Sequence, residues 1–207
     1  MSEKLTFKIC IGDLAAYNNG ILVYTWVDLL TLNYEKIIET KNKLLEEGTA
    51  LVTEHVYEGN ESLVHPHEEW HIQDYSNNLG IVVNEYTSLE KLCAFVDKIK
   101  PIDKTLLEKV YEAKDFEIDE VIDESINFED YHYIEARDER TLGEITFNEF
   151  YGDPVELIEN LTLLRNHSKG VLKLLAKHFD YEGYGRNLVH SGQYIKVTDG
   201  YLVNYGE

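Results

Sequence analysis

Cationic residues are scarce in this chain of 207. Lys and Arg number 19 against 39 Asp and Glu, a formal net charge of −20. No basic patch marks a nucleic-acid-binding face. The field repels DNA, RNA and anionic membranes and attracts basic surfaces. Cysteine is limited to Cys10 and Cys93, in neither a CxxC spacing nor a disulfide-dense pattern, which points to a reduced, cytoplasmic protein. No apolar run approaches the length of a membrane span. The opening MSEKLTFKICIG does not read as a signal peptide, because its apolar run is short and broken by Lys8. Proline is rare, at 3, and no internal repeat or low-complexity segment is evident.

What is present is a chain with 43% hydrophobic residues and 15 tyrosines, enough for one substantial core or two to three small ones. The negative charge is uneven. Residues 1–100 carry net −8, residues 101–150 net −11 and residues 151–207 net −1. The densest part is Glu112 to Glu139, with twelve acidic and two basic residues. A disordered acidic tail would lack large apolar residues, yet Ile118, Val121, Ile122 and Ile126 fall on one helical face here. Asp119/Asp123 and Glu120/Glu124 are then like-charge i,i+4 pairs, each costing roughly 0.2–0.5 kcal/mol. The stretch is expected to be folded and to keep its charge at some cost to stability. Its candidate functional carboxylates are Glu112, Asp115, Glu117, Asp119, Glu120, Asp123, Glu124, Glu129 and Asp130.

Alternation over Leu5 to Ile11 predicts a strand, and Ile21 to Val27 a second after a turn at Gly20. Asn33 caps a helix from Tyr34 that Gly48 is expected to end. Thr49 to His67 reads as an inserted loop or hairpin. Strands are expected over Trp70 to Tyr75 and Leu79 to Glu85. A capping box at Thr87-Ser88-Leu89-Glu90 opens a helix stopped by Pro101, and Asp103 caps the next. Tyr131 to Glu135 reads as a strand. Helices are expected over 140–150, 157–165, 170–178 and 181–189, and then a hairpin turned at Asp199-Gly200. The fold class is α+β, a chain of small domains in which mixed sheet-and-helix domains (1–86 and 128–207) flank a small acidic helical module (87–127).

One constellation looks enzymatic. His67-Glu68-Glu69-Trp70-His71 matches HExxH, in which two His four apart on a helix bind zinc and the Glu is the base. Its surroundings have strand character, and on a strand i and i+4 lie far apart. No phosphate-binding fingerprint, calcium loop or nucleophile arrangement is evident. Tyr181, Tyr184 and Leu188 read as core. No catalytic residue, metal or cofactor is assigned.

Three segments together resemble a known family. Asp13-Leu14, Tyr17-Asn18-Asn19-Gly20 and Trp26-Val27-Asp28 form the first. Glu68-Glu69-Trp70, Ile72, Asp74-Tyr75 and Glu85-Tyr86 form the second. Phe179-Asp180-Tyr181-Glu182, Gly185-Arg186-Asn187-Leu188 and Asp199-Gly200-Tyr201 form the third. In this order they resemble the ArdA antirestriction proteins, DNA mimics carried on conjugative elements. Thr49 to His67 is surplus to that pattern, Asn187 stands where an acidic residue is expected, and Gly183 where a helix former is. The resemblance implies an elongated homodimer of small mixed domains joined through the C-terminal one. It also implies surface carboxylates that imitate duplex phosphates in the DNA groove of type I restriction–modification enzymes. It accounts for Glu68-Glu69-Trp70 without the flanking histidines. Two other readings stay open: an acidic adaptor for another basic protein, and a zinc-dependent hydrolase at His67, Glu68 and His71.

Overall fold

The structure is a computed structural model that describes residues 4–60, 62, 65–152, 171 and 177–206. Helices and two three-stranded antiparallel sheets give an α+β fold. The chain divides into two compact units, Met1–Leu107 with Phe116–Asn127, and Glu108–Asp115 with Phe128–Glu207.

In the first unit β1 (Phe7–Asp13) lies between β2 (Tyr24–Asp28) and β3 (Trp70–Asn77). Successive side chains of a strand point to opposite faces. Phe7, Ile9 and Ile11 therefore enter the core, and all three are fully buried. Asp13 caps the short α1 (Leu14–Asn18), its Oδ1 accepting the Ala16 N–H at 2.8 Å. Two longer helices, α2 (Tyr34–His55) and α3 (Leu89–Ile99), bring Ile37, Leu92, Phe95 and Val96 into the interior, where the Phe95 ring meets Phe7 at 5.7 Å.

Several expectations change here. Helix α2 continues through Gly48 to His55, because Gly48 is a point of close approach and not a stop. A Cβ there would overlap Asp13 Oδ2. The supposed loop from Thr49 therefore starts as helix, and its far end returns to it, His67 N–H donating to Thr49 Oγ1 at 2.9 Å. Leu79 to Glu85 forms no strand. It keeps the alternation, burying Leu79, Ile81 and Val83, but the Asn77 side chain takes the place of a ladder. It accepts from the N–H groups of Leu79 and Ile81 and donates to the Ile81 carbonyl. The second strand starts at Tyr24, not Ile21. Ser88, not Thr87, caps α3, accepting the Lys91 N–H.

Past α4 (Lys104–Lys114) comes α5 (Ile118–Ile122), far shorter than the expected acidic helix. Asp123 ends it, and Glu124 takes a left-handed φ of 66°. Its apolar side, Ile118 and Val121, is buried, and α5 packs on α3.

In the second unit β6 (Gly200–Asn204) runs between β4 (Tyr131–Glu135) and β5 (Tyr194–Val197), with Asp199 at φ 61° in the expected turn. The core joins Ile134, Leu142, Tyr194, Tyr201 and Val203. Helices α6 (Glu139–Tyr151) and α7 (Tyr181–His190) meet through Gly143 and Gly185. A Cβ on Gly143 would overlap the Tyr181 carbonyl, and one on Gly185 the Glu139 carbonyl. The helices expected over 157–165 and 170–178 fall outside the described residues, apart from 171, 177 and 178.

Candidate functional site

The nine carboxylates divide between the units. Glu117, Asp119, Glu120, Asp123 and Glu124 belong to the first. Glu112, Asp115, Glu129 and Asp130 belong to the second. All are exposed except Asp130, which is half-buried.

Asp123, as the C-cap of α5, still donates its N–H to the Asp119 carbonyl, and Glu124 leaves the helix in a left-handed conformation, so the run of like charge expected on a long acidic helix is cut short. The charges are arranged against cations instead. Lys91 and Lys98 stand two turns apart on α3, a spacing that puts them on one face of it. Lys91 Nζ reaches Asp119 Oδ2 at 2.6 Å, and Lys98 pairs with Glu124. The Asp119 and Glu124 side chains remain 66% and 74% exposed, so each is steadied by a lysine yet open to a partner. Exposed pairs of this kind contribute little to stability. The Lys98 hydrogen bond and charge hold the Glu124 carboxyl below its ordinary value. Hydrogen bonds from Ser125, through its hydroxyl and its N–H, do the same for Asp123. Glu120 Oε2 accepts the Glu117 N–H at 2.8 Å at the start of α5.

In the second unit Glu112 is an anchor as well as a charge. Its Oε1 accepts from the Thr198 N–H at 2.6 Å and the Thr198 hydroxyl at 2.8 Å, with Lys109 at 3.5 Å from the other oxygen. Burial works to raise this carboxyl, but the Thr198 and Lys109 contacts outweigh it and hold the group below its ordinary value. Lys109 also lies over the Tyr133 ring, and the Tyr133 hydroxyl donates to the Asp199 carbonyl. One helix end is thus tied to the β5–β6 turn. Asp115 follows α4 in a left-handed conformation, its N–H returning to the Tyr111 carbonyl.

The motif residues do mainly structural work. Asp180 caps α7, accepting the Gly183 N–H at 2.8 Å. Gly183 belongs there because a Cβ would overlap that carboxylate. Tyr181 joins Phe147 and Phe179 in an aromatic cluster, Gly185 gives the close approach to α6, and Arg186 pairs with Glu182 at 2.8 Å. The Glu69 carbonyl accepts the Leu14 N–H, while Glu68, Asp74 and Tyr75 are exposed and Trp70 is half-buried at the start of β3.

The HExxH match does not survive the geometry. Residues 65–69 are not helical and β3 begins at Trp70, so His67 and His71 share no helix face. His67 Nδ1 instead faces Asp13 Oδ2 at 2.6 Å, both side chains almost wholly buried. His71 is buried with its ring edge-on to Tyr17, and a Cβ on Gly12 would touch it. Among the described residues no group of three His, Cys, Asp or Glu is placed to hold a metal ion. No helix among them is long and apolar enough to cross a membrane.

Sequence reasoning missed two features, the α3 lysines facing the acidic segment and the Asp13–His67 pair. The lysines left a signal in their seven-residue spacing. The pair left none, since 54 residues separate its members.

A search of curated proteins finds no match. The family model described as antirestriction protein (ArdA) matches residues 9–203, nearly the whole chain, and this protein belongs to the ArdA antirestriction family.

Proposed function

We propose that the protein inhibits type I restriction–modification enzymes by imitating DNA, its carboxylates occupying the groove that otherwise holds phosphates. The observation that carries this reading is the exposure of eight of the nine candidate carboxylates on ordered turns, short helices and helix ends, in a chain of net charge −20. A flexible acidic tail would have to be ordered on binding; this one is already folded. Duplex DNA carries two phosphates per base pair, so two protomers match the charge of about 20 bp. A near-neutral C-terminal part suits a homodimer seam, where packing like charge is costly.

Inhibition is then competitive with DNA, non-enzymatic, and weakened by salt. The test is a type I cleavage assay with rising protein at two salt concentrations, against a charge-matched acidic control. Inhibition near stoichiometric ratios, absent with the control, supports mimicry. Inhibition no better than the control, alongside binding to some other basic protein, replaces it with the adaptor reading.

A further inference from the structure

The first unit has a sheet face, opposite its core, on which Lys8, Tyr24, Trp26, Asp74 and Ser76 are exposed while Cys10, Gly12 and His71 are buried. Opposite the core side, β1 presents Lys8, Cys10 and Gly12. Register sets Asp28, Trp26 and Tyr24 of β2 beside them, and Ser76, Asp74 and His71 of β3 on the other flank. Three cross-strand rows result. The middle one reads Trp26–Cys10–Asp74. Trp26 is 47% exposed and Tyr24, next along β2, is 55% exposed. Cys10, between Trp26 and Asp74 in that row, is short and buried. Trp26 and Asp74 thus stand two strand spacings apart, about 10 Å.

We propose that this face docks arginine side chains of a protein partner, the guanidinium lying on Trp26 and Tyr24 and hydrogen-bonding Asp74. A guanidinium stacks on an aromatic face and pairs with carboxylate at once, which a lysine ammonium does less well. A row holding an open indole and a carboxylate across a small residue fits that ion. Other occupants fit worse. Bases stack on such platforms too, but only where a positive groove tracks the backbone, and this chain is at −20. A second copy would offer Lys8 but no arginine from this face. The inference rests on the proposed function, in that the arginines belong to the DNA-binding surface of the restriction enzyme. It adds an aromatic contact that a phosphate row lacks.

The test uses the full chain and labelled hexa-arginine and hexa-lysine peptides, with affinity read by anisotropy. The wild type is expected to bind hexa-arginine at least about threefold more tightly than hexa-lysine. Trp26→Ser, which changes no charge, and Asp74→Asn each reduce that preference, while Lys8→Ser does not. Urea unfolding confirms that each variant is folded. In the cleavage assay Tyr24→Ser/Trp26→Ser raises the inhibitory concentration about tenfold. An equal affinity for both peptides, or a preference unchanged in Trp26→Ser and Asp74→Asn, overturns the surface. Inhibition unchanged in the double variant overturns its role against the restriction enzyme. If the wild type inhibits no type I enzyme, the proposed function fails, and the peptide comparison alone decides the arginine surface.

Discussion

A methyl group on Gly48 would overlap the buried Asp13 carboxylate, and that carboxylate already holds His67 and caps α1. Gly48→Ala is therefore expected to destabilise the protein by about 1–3 kcal/mol, although alanine is the better helix former. Urea unfolding measures it; a gain in stability would mean that the helix does not press on Asp13. Glu124 works in the other direction. Its left-handed φ suits glycine, so Glu124→Gly is expected to raise Tm relative to Glu124→Gln, both having lost the Lys98 pair. Cys93 gives a chemical readout of its half-buried place. Burial, with Asp97 nearby, pushes its thiol up to about 11. Its alkylation by iodoacetamide, followed by mass spectrometry, should be slow at pH 8 and accelerate towards pH 11. Fast modification at pH 8 would contradict that environment. These residues show where the sequence was readable. Asp103, Asn33 and the Asp199-Gly200 turn act locally, and each was legible. Gly48 and His67 answer to partners far along the chain, which no spacing announces.

Elements were legible when their own hydrogen bonds and apolar spacing agreed. Strands β1, β4 and β5–β6 and helices α3, α6 and α7 lie within a few residues of where alternation and helical spacing put them. The segment 79–85 failed because the Asn77 amide supplied the bonds that a neighbouring strand would have. The acidic helix came out short because Asp123 caps it and Glu124 turns left-handed. The backbones of α6 and α7 approach closely at Gly143 and Gly185. Gly143→Ala or Gly185→Ala would set a Cβ on the opposite helix backbone and is expected to cost about 1–3 kcal/mol or more, measured by urea unfolding. Glu112 ties the end of α4 to the β5–β6 turn. Its folded carboxyl sits below the ordinary 4.5, so its contribution is complete above pH 4.5 and lost as pH falls through the lowered folded value. Glu112→Gln should therefore lower stability at pH 7 and flatten the acid limb of the stability curve. An identical limb in both proteins would place the anchor elsewhere.

For the whole molecule, charge is the property that the proposed function draws on, and the sequence displayed it openly. The dense stretch from Glu112, the near-neutral C-terminal part and the family segments were all on its surface. Which carboxylates are steadied by lysines and which serve as caps is set by the tertiary fold. If many weak contacts carry binding, single neutralisations of Glu117, Glu120 or Asp123 change inhibition little, and combined ones erode it step by step. A single substitution that abolishes inhibition with the fold intact would contradict distributed mimicry. The most direct measurement is type I restriction cleavage against rising protein at low and moderate salt. The account predicts near-stoichiometric inhibition that DNA competes away and salt weakens, beyond that of a charge-matched acidic protein. Inhibition indifferent to both DNA and salt, or equalled by the control, would contradict it.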